Sequence, residues 1–558
     1  MYANSRVQQR KRREDRKGRS PRPPMATPRP ERRNDNAPWH QHLQGLIAAL
    51  QICVVALILL SCLSFGIAYV GIFLDDTCYH IPGAIRIAQH LNPYWVDSPV
   101  DSHWFPAAAE TAVAVLVLLT RSLNVTNISG SLCFIAIVFL MYRFAGLWCR
   151  ARLGRLATVA CVSTIPLMIG QSLAFYVDIH LALLVCISMY FLCRSVLRRN
   201  ARDAYYGLAA AWLAPSVKYS GVLMFPVLAV ACGFCIWRSV PPRRPTAKVF
   251  VMLLLAAAFA SGFYLRNWMY RGNPLYPFAV PGWFRPVVSL MHVPYEVDPE
   301  HGIASPTTAF PHPYLPASWL AHEYTPHMTD DAFGASGVVA AVCALLSLSL
   351  IRLQPSDQRR AWLFLLVVVT VLVASFPYGL RIPRYLLFVP ILLSLGPAVL
   401  FGLLRRARAV FVADALCAVL LAFSGIYAAV NLVLPADKAN GVRVAYEHLV
   451  PYNPAGRTYP YVRRGHLRIG YTSGFGNFIA ALYDPHLTNV VIPLHYKNYA
   501  YNYWREMSSP QEFITYVASL RLDYIHVFDE RYPGVDLLRA NFPDKIMPEE
   551  MRAATKKP

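Results

Sequence analysis

Charged residues are scarce in this chain. Asp, Glu, Lys and Arg make up 15% of its 558 residues, whereas about a quarter of an ordinary soluble domain is charged. The shortage comes from long runs that contain no charge, of which 46–74 is the first. A helix of about 20 apolar residues crosses a bilayer, and this run is too long, and is followed by too many similar runs, to be a cleaved signal peptide. We therefore predict an integral membrane protein.

Cysteines outside apolar stretches and nucleotide-binding signatures are also lacking. Of twelve cysteines only Cys78 falls in a predicted external loop, and 431–558 has none, so no disulfide framework is predicted. Cys232 and Cys235 have the spacing of a metal or redox pair, but they lie in an apolar helix without a second pair, which indicates core packing. The chain has no P-loop, and Gly474-Phe475-Gly476 lacks the third glycine and downstream acid of a dinucleotide site. A nucleotide-driven pump is disfavoured.

The net charge of +22 is explained by where the basic residues lie along the chain. Basic residues cluster in short segments between apolar runs, as the positive-inside rule describes, so nucleic acid is not expected as a partner. Residues 1–43 hold twelve Lys or Arg against four acids. They cannot bury a core, and we predict a disordered cytoplasmic tail.

Alternating apolar and basic segments predict about eleven transmembrane helices within a membrane domain at 44–433, with external loops at 73–127 and 267–333. The predicted spans are 44–72, 128–147, 156–174, 179–195, 204–217, 220–237, 249–265, 334–351, 361–376, 385–403 and 410–433. The apolar stretch 107–123 contains Glu110 and Arg121. Counting it as a span would place five basic loops on the wrong side, so we predict a helix along the membrane interface.

The C-terminal part, 434–558, has a different pattern and is predicted to be an external α/β domain. Strand-like residues at 468–473, 489–494 and 523–528 alternate with helical patterns at 474–483 and 509–520. This strand–helix–strand order is typical of a small α/β fold.

The acidic pair Asp75-Asp76 follows the first predicted span directly. Two carboxylates at a membrane surface are costly unless they are solvated, paired or used. Either one could serve as a general base or hold a divalent metal ion. Asp76 could equally cap a helix that begins near Thr77, and the residues alone do not separate these alternatives.

Further polar residues sit at predicted external positions. His103 reads as an ordinary surface histidine. Asp178 opens a span and calls for a partner, for which Lys218 is the candidate. Arginines on the external side run against the positive-inside rule, so Arg266, Arg381 and Arg384 point to an anionic partner. Phosphate suits the planar guanidinium, and contact with lipid headgroups is the alternative.

These motifs together resemble the bacterial GT-C glycosyltransferases, a group related to protein O-mannosyltransferases and the lipid A aminoarabinose transferase. Asp75-x-x-x-Tyr79-His80-x-Pro82 is similar to their first external loop. Trp104-Phe105-Pro106…Glu110 looks like the element that follows it. The most specific match is Arg266-Asn267…Gly272-Asn273-Pro274-Leu275-Tyr276-Pro277, and Arg384-Tyr385-Leu386 looks like the entry to a late span.

The resemblance covers roughly 44–530 and implies a GT-C-like membrane fold. It implies inverting transfer of a sugar from a polyprenyl-phosphate donor to a lipid, glycan or protein acceptor at the non-cytoplasmic face of a bacterial inner membrane. Asp75 would be the base or a metal ligand, with Asp76 its alternative, and a divalent ion is the candidate cofactor. The resemblance and the external positions together give the substrate-binding candidates Tyr79, His80, His103, Glu110, Asp178, Lys218, Arg266, Asn267, Tyr276, Arg381, Arg384 and Tyr385. A transporter or flippase of lipid-linked sugars is the alternative, and a structural assembly subunit is a third class.

Overall fold

A computed structural model describes residues 38–68, 79–96, 101–239, 245–276, 334–376, 383–428, 464–472, 479–484, 486–494, 496, 507–528 and 532–547. The chain divides into two compact units, 1–46 and 47–558. Of the first unit the described part is 38–46, which forms the opening turns of a helix. The acidic pair Asp75-Asp76 and Arg381 lie outside the described residues, so their predicted roles stay predictions.

The described chain is mostly helical. In chain order its helices are α1 (Pro38–Ala68), α2 (Ile81–His90), α3 (Ala108–Thr120), α4 (Ile128–Ala145), α5 (Arg152–Ser163), α6 (Pro166–Ser172), α7 (Val177–Arg198), α8 (Ala201–Val217), α9 (Ser220–Arg238), α10 (Ala247–Arg271), α11 (Gly334–Ser349), α12 (Ser356–Ser375), α13 (Phe388–Leu393), α14 (Gly396–Arg406), α15 (Val410–Ala428), α16 (Pro510–Ser519) and α17 (Val535–Asn541). Short 3-10 turns include Asp101–Trp104, Pro383–Leu386 and Ile479–Leu482.

Within the described residues, seven helices are long and apolar enough to cross a membrane, or eight if the bent pair α5–α6 forms one span. The described part of every predicted span is mainly helical. Three of them, at 204–217, 334–351 and 410–433, fall on helices that miss this length test in their described parts. The membrane character follows from these helices, whereas the number eleven stays a prediction.

The stretch 107–123 forms a helix, α3, of 13 residues. This is shorter than the about 20 residues that a crossing needs. The helix buries Ala109, Glu110, Val113 and Val117 and exposes Leu119. A buried face opposite exposed apolar side chains suits an interfacial helix, which stays a prediction for its orientation in the bilayer.

One predicted span, 156–174, is broken. Helices α5 and α6 meet at a bend of 67° around Thr164-Ile165, where Pro166 cannot donate to a continuous helix. The Thr164 hydroxyl lies 2.8 Å from the Ser336 hydroxyl of α11. This side chain contact, together with the Ser336 hydroxyl donating to the Thr164 carbonyl at 3.0 Å, satisfies polar groups that the break frees.

The C-terminal strands β1 (Arg468–Thr472), β2 (Val490–Leu494) and β3 (Tyr524–Val527) form a parallel sheet in the order β2-β1-β3. Their ends agree within one residue with the predicted strand ranges. Helix α16 connects β2 to β3, and Ser509 caps it by accepting from the Glu512 amide at 3.2 Å, while Glu512 accepts from the Ser508 amide at 2.7 Å. This is a capping-box pattern at a helix start.

Both faces of the sheet are covered. On one side Phe513 and Val517 of α16 pack with Leu494, Ile525 and neighbouring residues. On its other face the sheet contacts the continuous apolar core of the membrane helices. The residues that join this core come from β1 and from the segment between β1 and β2, and they are Ile469, Tyr471, Ile479, Leu482, Tyr483 and Leu487. The sheet is therefore packed against the helical part rather than tethered to it.

Helix α9 begins with a close approach to α8. A Cβ atom at Gly221 would collide with the backbone of Ala214 and Pro215, whereas Gly233, twelve residues further along α9, has nothing within 4 Å of such a position. We expect Gly221→Ala to destabilise the protein by about 1–3 kcal/mol, because overpacking cannot be relieved at a backbone contact.

Gly233→Ala is the matched control, and helix propensity alone makes it neutral or stabilising by up to about 1 kcal/mol. Thermal unfolding of the two detergent-purified variants measures the difference. Equal midpoints for both variants would contradict the packing described here.

Candidate active site

An open pocket lies between α2, the turn Asp101–Trp104, α3 and α10. It gathers residues from three separate sequence motifs, since Tyr79, His103, Glu110 and Arg266 all line it. The other lining residues are Gly83, Arg86, Ile87, Pro93, Trp95, Val96, Phe105 and Ala107. Helix α2 reaches it because Pro82 opens the helix and Ile81, Ala84, Ile85 and Ala88 bury its opposite face.

His80 and Glu110 form a buried hydrogen-bonded pair at the pocket. His80 Nδ1 lies 2.5 Å from Glu110 Oε1, and both side chains are buried. Glu110 Oε2 has no hydrogen-bond partner among the described residues. A buried carboxylate oxygen without a donor is costly, so Glu110 offers an acceptor to any hydroxyl that enters the pocket.

His103 is corrected from a surface histidine to an enclosed one. Its Nδ1 lies 2.5 Å from Arg86 Nη1, and its other ring nitrogen is buried. Arginine donates and cannot accept, so His103 Nδ1 is the acceptor and the ring is neutral. Burial first, and then the Arg86 charge, hold the pKa of His103 well below its ordinary value.

Arg266 and Asn267, near the C-terminal end of α10, make hydrogen bonds to neighbouring loops. Arg266 Nη2 donates to the Trp104 carbonyl at 2.5 Å. Asn267 Nδ2 lies within donating distance of the same oxygen at 3.1 Å, of the Tyr219 hydroxyl at 3.0 Å and of the Tyr276 carbonyl at 3.3 Å. These contacts hold two loops against the helix end. Asn267 and Tyr276, both predicted to bind substrate, contribute here to the frame of the pocket.

A second cluster lies beside the pocket. Lys218 Nζ donates to Asp178 Oδ1 at 2.7 Å, which is the partner that the sequence predicted for Asp178. The same ammonium sits 4.2 Å from the centre of the Tyr385 ring, and Arg384 Nη2 donates to the Tyr385 hydroxyl at 3.4 Å. The cluster brings together the start of α7, the end of α8 and the turn Pro383–Leu386.

Phe175 and His180 link the two groups. The Phe175 ring lies 5.5 Å from the His80 ring and 6.1 Å from the His180 ring, measured between centroids. His180 is in electrostatic range of Glu110 and Asp178. Eleven of the fourteen predicted site residues, which are all those that the structure describes, therefore converge at one end of the helix bundle. They are Tyr79, His80, His103, Glu110, Asp178, Lys218, Arg266, Asn267, Tyr276, Arg384 and Tyr385.

Two pocket residues were missed at the sequence level. Arg86 lies one helical turn beyond Gly83 on α2, and Trp95 follows α2 after a left-handed residue, Leu91, at φ 52°. The signal for Arg86 is its spacing of seven residues from Tyr79, which is typical of one helix face. Trp95 stacks on His90 at 4.5 Å between ring centroids, and no sequence pattern indicated this turn.

No group of three or more His, Cys, Asp or Glu side chains that could hold a metal ion is found in the described part of the chain. The predicted candidates for a metal, Asp75 and Asp76, lie outside that part.

No family model matches the chain, and no curated protein matches it. Solved structures that match include the crystal structure of ArnT from Cupriavidus metallidurans bound to undecaprenyl phosphate. That match has 14% sequence identity and a TM-score of 0.36, and it covers 78% of this chain and 84% of that chain. ArnT belongs to the group of glycosyltransferases that the sequence motifs resemble. A TM-score of 0.36 is too low for this likeness to support a function. We therefore infer the function from the residues of this chain.

The ion pair between Asp178 and Lys218 yields a stability prediction. The Asp178 side chain is 2% exposed, so Lys218→Met leaves a buried carboxylate without its counter-charge. We expect a loss of about 3–5 kcal/mol in the free energy of unfolding.

The double variant Lys218→Met with Asp178→Asn removes both charges and should recover most of that loss. Thermal unfolding in detergent compares the three proteins. A double variant as unstable as the single one would contradict the pairing as the source of the effect.

Proposed function

We propose that this protein is a membrane glycosyltransferase that moves a sugar from a polyprenyl-phosphate donor to an acceptor hydroxyl. The observation that carries the proposal is the pocket itself, in which a buried carboxylate with an unpartnered oxygen, Glu110, faces the same space as the guanidinium groups of Arg86 and Arg266. Acids accept protons and hydrogen bonds from hydroxyls, and arginines stabilise phosphate oxygens. The pocket therefore offers an acceptor for a sugar hydroxyl next to guanidinium groups that can bind the donor phosphate.

The cations divide into two groups by their existing partners. Lys218 is neutralised by Asp178 at 2.7 Å, so its net attraction for a phosphate is reduced. Arg266 donates from Nη2 to the Trp104 carbonyl and from Nε to Asn267 Oδ1, and it still lines the pocket with no acidic partner among the described residues. We infer that Arg266, Arg384 and Arg381 hold the donor phosphate and that Lys218 chiefly orders this end of the site.

The proposed reaction is a single displacement. The acceptor oxygen forms a bond to the anomeric carbon, the bond from that carbon to the phosphate oxygen breaks, and the polyprenyl phosphate leaves with the electron pair. The proton of the acceptor hydroxyl goes to Asp75. Fixed guanidinium groups stabilise the charge that develops on the departing phosphate, and attack from the opposite face inverts the anomeric configuration.

Glu110 has a binding role in this scheme. His80 occupies Oε1, and Oε2 remains to accept from a sugar hydroxyl. A divalent ion, if the reaction uses one, falls to Asp75 and Asp76.

The site is proposed to face the non-cytoplasmic side of a bacterial inner membrane. The supporting features are the basic segments between spans, which include Arg150, Arg152 and Arg155 at the opposite end of α4 and α5 from the pocket, and the positive-inside rule. The acceptor class stays open between lipid, glycan and protein hydroxyls.

Transfer by purified full-length protein from labelled polyprenyl-phosphate sugars tests the proposal. General-base assistance contributes about 10²–10⁴-fold to a rate, so Asp75→Asn should reduce turnover by that factor while the protein still folds and inserts. Asp536→Asn, in α17 of the C-terminal part, is a control of identical chemistry. Wild-type turnover in Asp75→Asn would remove Asp75 from its assigned role.

Glu110→Gln and Arg266→Gln probe the pocket in the same assay. Because Glu110 and Arg266 are assigned to sugar and phosphate respectively, loss of a hydrogen bond to a charged group should reduce kcat/KM by about 10–100-fold. Unchanged kcat/KM for both variants, with unfolding midpoints like the wild type, would show that substrate does not enter this pocket.

A lipid-linked sugar transporter is retained as the second candidate because of one feature. The α5–α6 pair bends by 67° in mid-span, and broken helices are frequent in transporters. Proteoliposomes separate the candidates: transfer without any transmembrane gradient supports the enzyme, whereas translocation of the lipid-linked sugar without transfer supports the transporter. A structural assembly subunit would show neither.

A further inference from the structure

Helix α2 is held from two sides. Along one face it carries Arg86 and Gln89, three residues apart and therefore adjacent on the helix surface. Arg86 lines the pocket, whereas Gln89 points to the C-terminal sheet. A helix of ten residues is marginal on its own, so its position depends on what these side chains contact.

Gln89 is bound to the C-terminal part by both hydrogens of its amide. Its Nε2 donates to the Leu487 carbonyl at 2.8 Å and to the Asn489 carbonyl at 2.8 Å. A glutamine amide has two N–H donors on that nitrogen, so the contact uses its full donor capacity. A shorter or donor-free side chain cannot reproduce it.

The two carbonyls are presented by a loop that is itself fixed. Asp484 Oδ1 accepts from the amides of Thr488 at 2.6 Å and Asn489 at 2.7 Å. Leu487 adopts φ 58°, a left-handed conformation that costs a non-glycine residue about 1–2 kcal/mol. Asn489, through its side chain, accepts from the Leu467 amide at 3.0 Å. The loop therefore offers Gln89 a rigid receptor at the edge of β1 and β2.

Arg86 lies three residues before Gln89 on α2 and lines the pocket. Its Nη1 lies 2.5 Å from His103 Nδ1, and His103 lines the same pocket. The position that Gln89 gives to α2 therefore also sets where Arg86 meets His103.

We propose that Gln89 and Arg86 are positioning residues through which the C-terminal sheet fixes the wall of the pocket. The sheet then acts on the site from outside it, by setting where α2 stands, and touches no substrate through Gln89. Any partner or condition that lifts the sheet from α2 would loosen the site. The inference rests on the proposed function only for its transfer readout.

Gln89→Glu tests the link with the smallest change of shape. It replaces two donors by carboxylate oxygens that face two carbonyl oxygens. Gln511→Glu is the matched control, because Gln511 is exposed on α16 in the same C-terminal part and the substitution adds the same charge. Gln89→Asn is a milder second variant that keeps the amide but cannot span both carbonyls.

Hydrogen–deuterium exchange of the full-length protein gives a readout that needs no substrate. Loss of two hydrogen bonds should raise exchange in 81–90 and 486–489 by about tenfold or more in Gln89→Glu, by less in Gln89→Asn, and not at all in Gln511→Glu. Exchange in these segments equal to that of the wild type in both Gln89 variants would overturn the proposal.

The pH profile of transfer separates positioning from general loosening. In the wild type the pKa of His103 is well below 6.5, so the ring is neutral and no acid limb appears near that pH. The charged groups that share the pocket with it are Arg86 from α2, Glu110 from α3 and Arg266 from α10. If α2 shifts, the ring becomes less buried and loses the Arg86 charge beside it, so both causes weaken and the pKa of His103 rises back toward its ordinary value.

Gln89→Glu should therefore gain an acid limb, with transfer falling as pH drops below about 6.5. Gln511→Glu should keep the wild-type profile. Raised exchange with an unchanged profile would mean that the sheet holds α2 without affecting the pocket, which overturns the positioning role. A wild-type protein that transfers no sugar would instead defeat the proposed function, and the exchange measurement would still decide whether the sheet holds α2.

Discussion

The contact between His80 and Glu110 joins the two short helices that form the pocket, and the surrounding polar structure depends on it. Both side chains are buried against an apolar bundle, where an unpaired charge is costly. With Oε1 occupied by His80, the second oxygen is left for the pocket. This arrangement fixes α2 against α3 and at the same time leaves one acceptor available for chemistry.

The other charged side chains of the site also have partners within the protein. Asp178 is neutralised by Lys218, and Arg266 is tied to the Trp104 carbonyl. Charged groups at the end of a membrane bundle are retained when they have partners inside the protein. Some residues that the motifs suggested as ligands are therefore parts of the frame. Asn267 shows this most clearly, because its amide contacts two loops rather than the open pocket.

Much of the fold could be predicted from the sequence because long apolar runs and strand patterns are local signals. The strands at 468–472, 490–494 and 524–527 follow from β-branched runs between turn residues. The bend at Thr164 was not predicted, since a proline that opens a new helix looks the same as one inside a continuous run. The predicted span 204–217 lies within α8, which has 17 residues.

The order of the sequence motifs predicted more of the site than physical arguments about single residues did. Pairing of Asp178 with Lys218 followed from the cost of a charge at a span end, and it is observed. The enclosed state of His103 was not foreseeable, because it depends on how α2 packs and so brings Arg86, 17 residues earlier in the chain, against the ring. The coupling of α2 to the C-terminal sheet likewise joins residues about 400 positions apart, and such contacts leave no local pattern.

We propose that a sugar-phosphate lipid occupies the pocket between α2, α3 and α10. Photo-crosslinking with a polyprenyl-phosphate sugar that carries a diazirine on the sugar ring, followed by peptide mapping, tests it most directly. We predict labelled peptides that contain Arg86, His103 or Glu110, with labelling suppressed by excess unlabelled donor. Competed labelling confined to the middle of the α5–α6 region would contradict the claim and would favour a transport path.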